Sequence, residues 1–140
     1  MSTTKRQLIE LAFNEIGLGT YVFDLTPDQL LNALRRLDAQ MSLWLSKGID
    51  LTYNFPTAPA IGDLDDDSGI PDRAVLAVAI SLGIALAPTY GKQVPIEIKV
   101  AARDAYKDVV RVATVIPEMV LPQTLPIGAG AKKYEYPFVQ

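Results

Sequence analysis

The sequence predicts an all-α fold: a small four-helix bundle with a long central loop or arm and an extended C-terminal tail. Three observations predict it. Apolar residues recur every three to four positions in four separate stretches, the spacing that gives a helix one dry face. Those stretches open on capping residues or proline and close on glycine or proline. Over residues 49–72, and again over 117–140, the period vanishes and prolines gather. The chain's 140 residues suit a single hydrophobic core. Residues 1–116 are therefore expected to be a bundle domain carrying the 49–72 loop, and residues 117–140 an arm.

The first helix is expected to start at Thr3 or Thr4, to hold Leu8, Ile9, Ala12, Phe13 and Ile16 on one face, and to stop at Gly17. The second has the clearest start, with Thr26 as cap, Pro27 at the first helical position and Gln29 placed to close a capping box. Leu30, Leu34, Leu37, Met41 and Trp44 form its seam, and Gly48 ends it. The next segment holds Pro56, Pro59, Pro71 and the acidic run Asp63, Asp65, Asp66 and Asp67. Leu51 to Phe55 reads as a short strand or an extended arm. A connection this long is expected to be functional or ordered by a partner.

The third helix should run from about Pro71 to Ala87. Apolar on nearly every side, it is the predicted centre of the bundle. Its longest apolar run, Ala74 to Ala87, is shorter than the roughly 20 residues that span a bilayer, so it reads as a core helix and no membrane partner is expected. The fourth helix should run from about Pro95 to Val115 with Ile98, Ala102, Ala105, Val109 and Val112 inward. Lys99, Arg103, Lys107 and Arg111 then spread over its outer face, while Glu97, Asp104 and Asp108 gather on one flank. The arm carries Leu121, Leu125, Ile127, Tyr134, Tyr136 and Phe138, an apolar load that points to a partner surface.

Composition narrows the chemistry. Hydrophobic residues make up 49% and charged residues 21% of the chain, which excludes wholesale disorder. A net charge of -3 implies neither a nucleic-acid binder nor a membrane-surface protein. With no cysteine and no histidine, thiolate metal sites, disulfides, cysteine nucleophiles and the serine-histidine triad are excluded together. The N-terminus has no small-residue cleavage site before its amphipathic stretch, so no secretory signal is expected, and synthesis and retention in a cytoplasm are.

Several blocks, in this order, resemble one family. They are Thr4-Lys5 leading into Ile16-Gly17, then Leu37-Asp38-Ala39-Gln40-Met41 with Trp44 and Gly48-Ile49. Ala74-Val75, Ala77-Val78 and Leu82 follow, with Ala87-Pro88-Thr89-Tyr90 and Leu125-Pro126-Ile127-Gly128-Ala129-Gly130 before an aromatic end. Taken together over nearly the whole chain, they are similar to the head-to-tail adaptor, or tail accessory factor, of short-tailed bacteriophages.

The resemblance implies a non-enzymatic virion protein at the head-tail junction that docks as a dodecameric ring beneath the portal protein. It implies retention of the genome and a platform for downstream tail proteins, with packaged DNA near the channel as a further contact. The arm residues Leu121, Leu125, Ile127, Tyr134, Tyr136 and Phe138 become candidates for portal binding. Glu97, Lys99, Arg103, Asp104, Lys107 and Asp108 become candidates for contacts between subunits. A head-completion or connector protein of a long-tailed phage is the alternative, and a virion-associated cell-wall hydrolase a lesser one.

Other features carry a plainer reading beside the functional one. In the acidic run, glycine falls at position 7 of an EF-hand loop where position 6 needs it, and Ala74 stands where a bidentate glutamate is required, so no metal is expected. A solvated or partner-facing loop remains. The basic stripe of the fourth helix is either a contact for DNA or an acidic portal surface, or simply its wet side. Trp44 is either core or an interface anchor. Glycoside cleavage needs two carboxylates at a fixed separation. Glu10 and Glu15, read as lying on a solvent face, and the aspartate run supply no such pair, and no cofactor is implied.

Overall fold

Thr4 starts the first helix, α1 (Lys5–Glu15), through a reciprocal cap. The Gln7 amide donates to Thr4 Oγ1 at 3.3 Å while the Thr4 amide donates to Gln7 Oε1 at 3.2 Å. In the second helix, α2 (Pro27–Ser46), Thr26 N donates to Gln29 Oε1 at 3.0 Å, the contact that the Thr-Pro-x-Gln spacing predicts. The third helix, α3 (Asp72–Leu86), runs into a 3-10 turn, Ala87–Tyr90, and Gly91 turns the chain at φ +64°. The fourth, α4 (Ile96–Ala113), begins after Pro95 and closes where the Thr114 hydroxyl donates to Val110 O at 2.6 Å. This architecture is a computed structural model that describes residues 3–19, 24–57 and 62–114. Among the described residues there is no β-strand, only one isolated bridge between Thr4 and Asp67.

The fold is the all-α arrangement of four helices that the sequence predicts. Helix α3 lies at the centre and packs on α1, α2 and α4. Together with the 3-10 turn it spans 19 residues, Asp72–Tyr90, at a mean hydropathy of 1.6, which by length and composition alone would suffice to cross a membrane. Its three helical neighbours account for that composition instead, with Ala77, Val78, Ala79 and Leu82 all buried in the common core. The closest approach is to α1. A methyl group placed on Gly83 would stand 2.7 Å from the Ala12 carbonyl oxygen and 3.1 Å from Ile16 Cγ2, so the two backbones meet where only glycine fits. Leu8, Ile9, Ala12 and Phe13 are fully buried on the same contact, and the Phe13 ring meets Tyr90 edge to face at 5.3 Å.

The 49–72 connection corrects an expectation. Rather than awaiting a partner, its described residues are bound to the bundle. Ile49, Leu51, Tyr53 and Ile70 are buried in the core. Backbone amides of Lys5, Arg6 and Ser68 donate to Asp66 O, Leu64 O and Thr3 O at 3.0, 2.8 and 3.0 Å, and Asn54 N donates to Ser68 O at 3.0 Å. The two limbs cross at Thr52 and Gly69. Thr52 holds a left-handed φ of +56°, fixed by its amide on Asp50 Oδ1 at 2.8 Å and its hydroxyl on Gly69 O at 2.8 Å. That conformation is costly for a β-branched residue and persists because these bonds determine it. A Cβ on Gly69 would fall 2.4 Å from Thr52 O.

Lys5 is the residue whose burial the sequence does not announce. Only 1% exposed, its ammonium lies 5.1 Å from the centre of the Tyr53 ring. The Tyr53 hydroxyl donates to Asp38 Oδ1 at 2.6 Å. Asp38 Oδ2 and Lys5 Nζ both lie within 4 Å of one point beside Gly62. Three elements are thereby joined by one polar cluster. Burial, reinforced by the Asp38 hydrogen bond, raises the Tyr53 pKa well above that of a free phenol.

Candidate functional site

No catalytic constellation comes together among the described residues, and no three acidic side chains there converge to hold a metal. Glu10 and Glu15 are half-buried rather than fully on a solvent face, in a helix that packs on both α3 and α2. The aspartates of the 63–67 run point outward and serve local structure. Asp63 Oδ1 accepts from Asp65 N at 3.1 Å, Asp67 Oδ1 accepts from Gly69 N at 3.1 Å, and Asp65 pairs with Arg6 at 2.8 Å. The hydrogen bond from Arg6 holds the Asp65 carboxyl below the usual carboxylate range.

The surface that the fold leaves unfilled belongs to α4. All six charged candidates on it, Glu97, Lys99, Arg103, Asp104, Lys107 and Asp108, are exposed. Two of the acids already have partners on their own helix, Asp104 with Lys107 at 3.5 Å and Asp108 with Arg111 at 3.8 Å. Of the apolar residues expected inward, Ala102 and Val109 are buried, whereas Ile98 and Ala105 are partly covered. Val112 departs from the expectation at 50% exposure. It borders an open pocket of about 120 Å³ together with Leu51, Ala74 and Val109. Ile96 and Val100 are 72% and 53% exposed.

Between α2 and α4, above α3, runs a groove of about 480 Å³. Its floor is small, from Ser81, Ala85 and Ala102, and its walls carry Leu43, Trp44 and Tyr106 with Arg36 and Arg103. Trp44 is 5% exposed and meets Tyr106 edge to face at 5.3 Å, while Lys47 stands 5.9 Å from the Tyr106 ring centre. Trp44 is thus a core residue whose edge also lines a surface. Sequence reasoning missed Arg36 and Leu43. Their spacing of seven places them on one α2 face, but the partner wall on α4 cannot be read from that spacing. The arm candidates Leu121, Leu125, Ile127, Tyr134, Tyr136 and Phe138 lie outside the described residues.

Comparison with protein families matches residues 1–137 to the P22 tail accessory factor. The chain belongs to the P22 tail accessory factor family. A search of curated proteins finds no match. Family membership makes the chain a bacteriophage tail-related structural protein, associated with the virion and with tail or head proteins.

Proposed function

We propose that this tail accessory factor is a head-to-tail adaptor: it docks as a dodecameric ring on the portal protein, retains the packaged genome and presents a platform to downstream tail proteins. The observation that carries this reading is the sparse burial of α4. Eighteen residues of helix cover only Ala102 and Val109 fully, while Ile96, Val100 and Val112 stay open beside a line of charges. A helix of that length with so little covered on its own subunit is a surface for assembly.

The arm, through Leu121, Leu125, Ile127, Tyr134, Tyr136 and Phe138, is the portal-binding element, since its apolar side chains gain more on a neighbouring surface than in water. Glu97, Lys99, Arg103, Asp104, Lys107 and Asp108 set register between subunits and the salt sensitivity of the ring, because exposed charges steer contacts more than they strengthen them. Packaged DNA lies within the channel that such a ring encloses.

Electron microscopy of portal rings mixed with the purified chain tests this. Ring-shaped density on the portal is expected with the full chain, and none after deletion of residues 117–140, with helicity by circular dichroism retained. Bare portals with the full chain, or normal occupancy with the truncated one, would contradict the reading.

A further inference from the structure

The α2–α4 groove and the edge formed by Phe55 with the acidic run occupy opposite sides of the subunit. Two helices place them there independently. On α3, Gly83 faces the Ala12 carbonyl of α1, whereas Ser81 and Ala85 floor the groove. Two residues turn a helix by about 200°. On α2, Asp38 accepts the Tyr53 hydroxyl on the side of the 49–72 connection, whereas Arg36 and Gln40 line the groove, again two residues away.

The two surfaces are complementary in kind. Leu43, Trp44 and the alanines give the groove an apolar interior, and Arg36 and Arg103 give it cationic walls. Phe55 is 41% exposed and stands edge to face on Tyr53 at 5.0 Å. The limb beside it is tied by Asn54 Nδ2 to Asp67 O at 3.0 Å and presents the exposed side chains of Asp66 and Asp67. An aromatic anchor rimmed by carboxylates thus corresponds to an apolar slot rimmed by guanidinium groups, the pattern in which a central apolar contact supplies affinity and the charged rim supplies register.

Resting on the ring reading above, we infer that the α2–α4 groove receives the Phe55 edge of the next copy of this chain. Phe55 enters beside Leu43 and Trp44, and Asp66 and Asp67 meet Arg36 and Arg103. Complementary surfaces on opposite sides of one subunit join copies head to tail, the contact that closes into a ring and does not produce a two-fold dimer. The loop carboxylates thereby supply Arg103 with a partner from outside α4, whose own Asp104 and Asp108 are paired along the helix.

A charge exchange decides it. Arg36→Glu/Arg103→Glu and Asp66→Lys/Asp67→Lys should each lower ring occupancy on portals by about tenfold or more, because like charges then face each other. An equimolar mixture should restore it, since each variant supplies the surface that the other requires and an even-numbered ring alternates them. Wild-type occupancy from either variant, or a mixture that fails to recover, overturns the inference while leaving the adaptor reading intact. Should the wild-type chain leave portals bare, the adaptor reading fails, and crosslinking of the concentrated chain decides the contact alone. The sequence has no cysteine, so a short bismaleimide joins copies of Ala39→Cys/Thr57→Cys only at these two positions, and peptide mapping identifies the 39–57 link that this juxtaposition requires. A ladder of multimers supports it. Monomers, dimers only, or a ladder that requires removal of residues 117–140 overturn it, the last because the chain's own arm would then be the occupant.

Discussion

Helices α1 and α4 pack on the same central helix and are treated by it in opposite ways. Of the 11 residues of α1, five are buried, and its backbone touches α3 closely enough to require Gly83. Of the 18 residues of α4, two are buried. The shorter helix is built into the core and the longer one lies mostly on the surface, so burial and exposure are divided between the two helices that flank α3.

Mutations can break that division. The largest effect is expected from Phe13→Ala, which empties a fully buried aromatic site between α1 and Tyr90 and should cost about 3–5 kcal/mol in urea unfolding. Val109→Ala, the nearest equivalent on α4, removes two methyl groups and should cost about 2 kcal/mol. Equal losses would dissolve the asymmetry. Gly83→Ala comes next at about 1–3 kcal/mol of destabilisation, because the added methyl meets a backbone carbonyl that cannot swing away. Helix propensity alone predicts the reverse sign, a gain of about 1 kcal/mol, so a thermal melt separates the two arguments.

The same asymmetry shows what the sequence could reveal. Thr4 with Gln7, and Thr26 with Pro27 and Gln29, are local signals, and the helices begin where those residues place them. Burial of Ala102 and Val109 follows from period alone. The order of the 49–72 connection was not legible, because much of it comes from residues 3–6, about sixty positions away, through backbone bonds that carry no side-chain signature and an Arg6–Asp65 pair that no local spacing marks. Lys5 was hidden for a related reason: a lysine in the first turn of a helix looks solvated until Tyr53 and Gly62 are folded over it. The groove needed the α2–α4 distance, which no spacing along one helix contains.

Tyr53→Phe sharpens the comparison on the α1 side. Loss of the hydrogen bond to Asp38 should cost about 1–2 kcal/mol near neutral pH. Since the folded state raises the phenol pKa, the wild-type protein binds that proton more tightly folded than unfolded. Its stability is therefore complete below about pH 10 and declines above it as the unfolded phenol ionises. The phenylalanine variant should lack this part of the alkaline decline, which pH-dependent urea titrations would reveal. The smallest effect on stability belongs to α4. Ile96→Ser/Val100→Ser should change unfolding by no more than about 0.5 kcal/mol yet reduce ring occupancy on portals, and a large loss of stability would mean that these side chains serve the monomer.

The dominance of the α1–α3 contact also sets a schedule for biosynthesis. Helix α1 is made first, but the helix that covers it ends at Leu86. At roughly 5–20 residues per second, the ribosome leaves Leu8, Ile9 and Phe13 uncovered for several seconds while α2 and the proline-rich connection follow. Nascent α1 has too few residues to stay helical unaided. The apolar face that later secures the subunit is thus exposed during translation, and yield should depend on chaperone supply more strongly than the stability of the finished bundle would suggest.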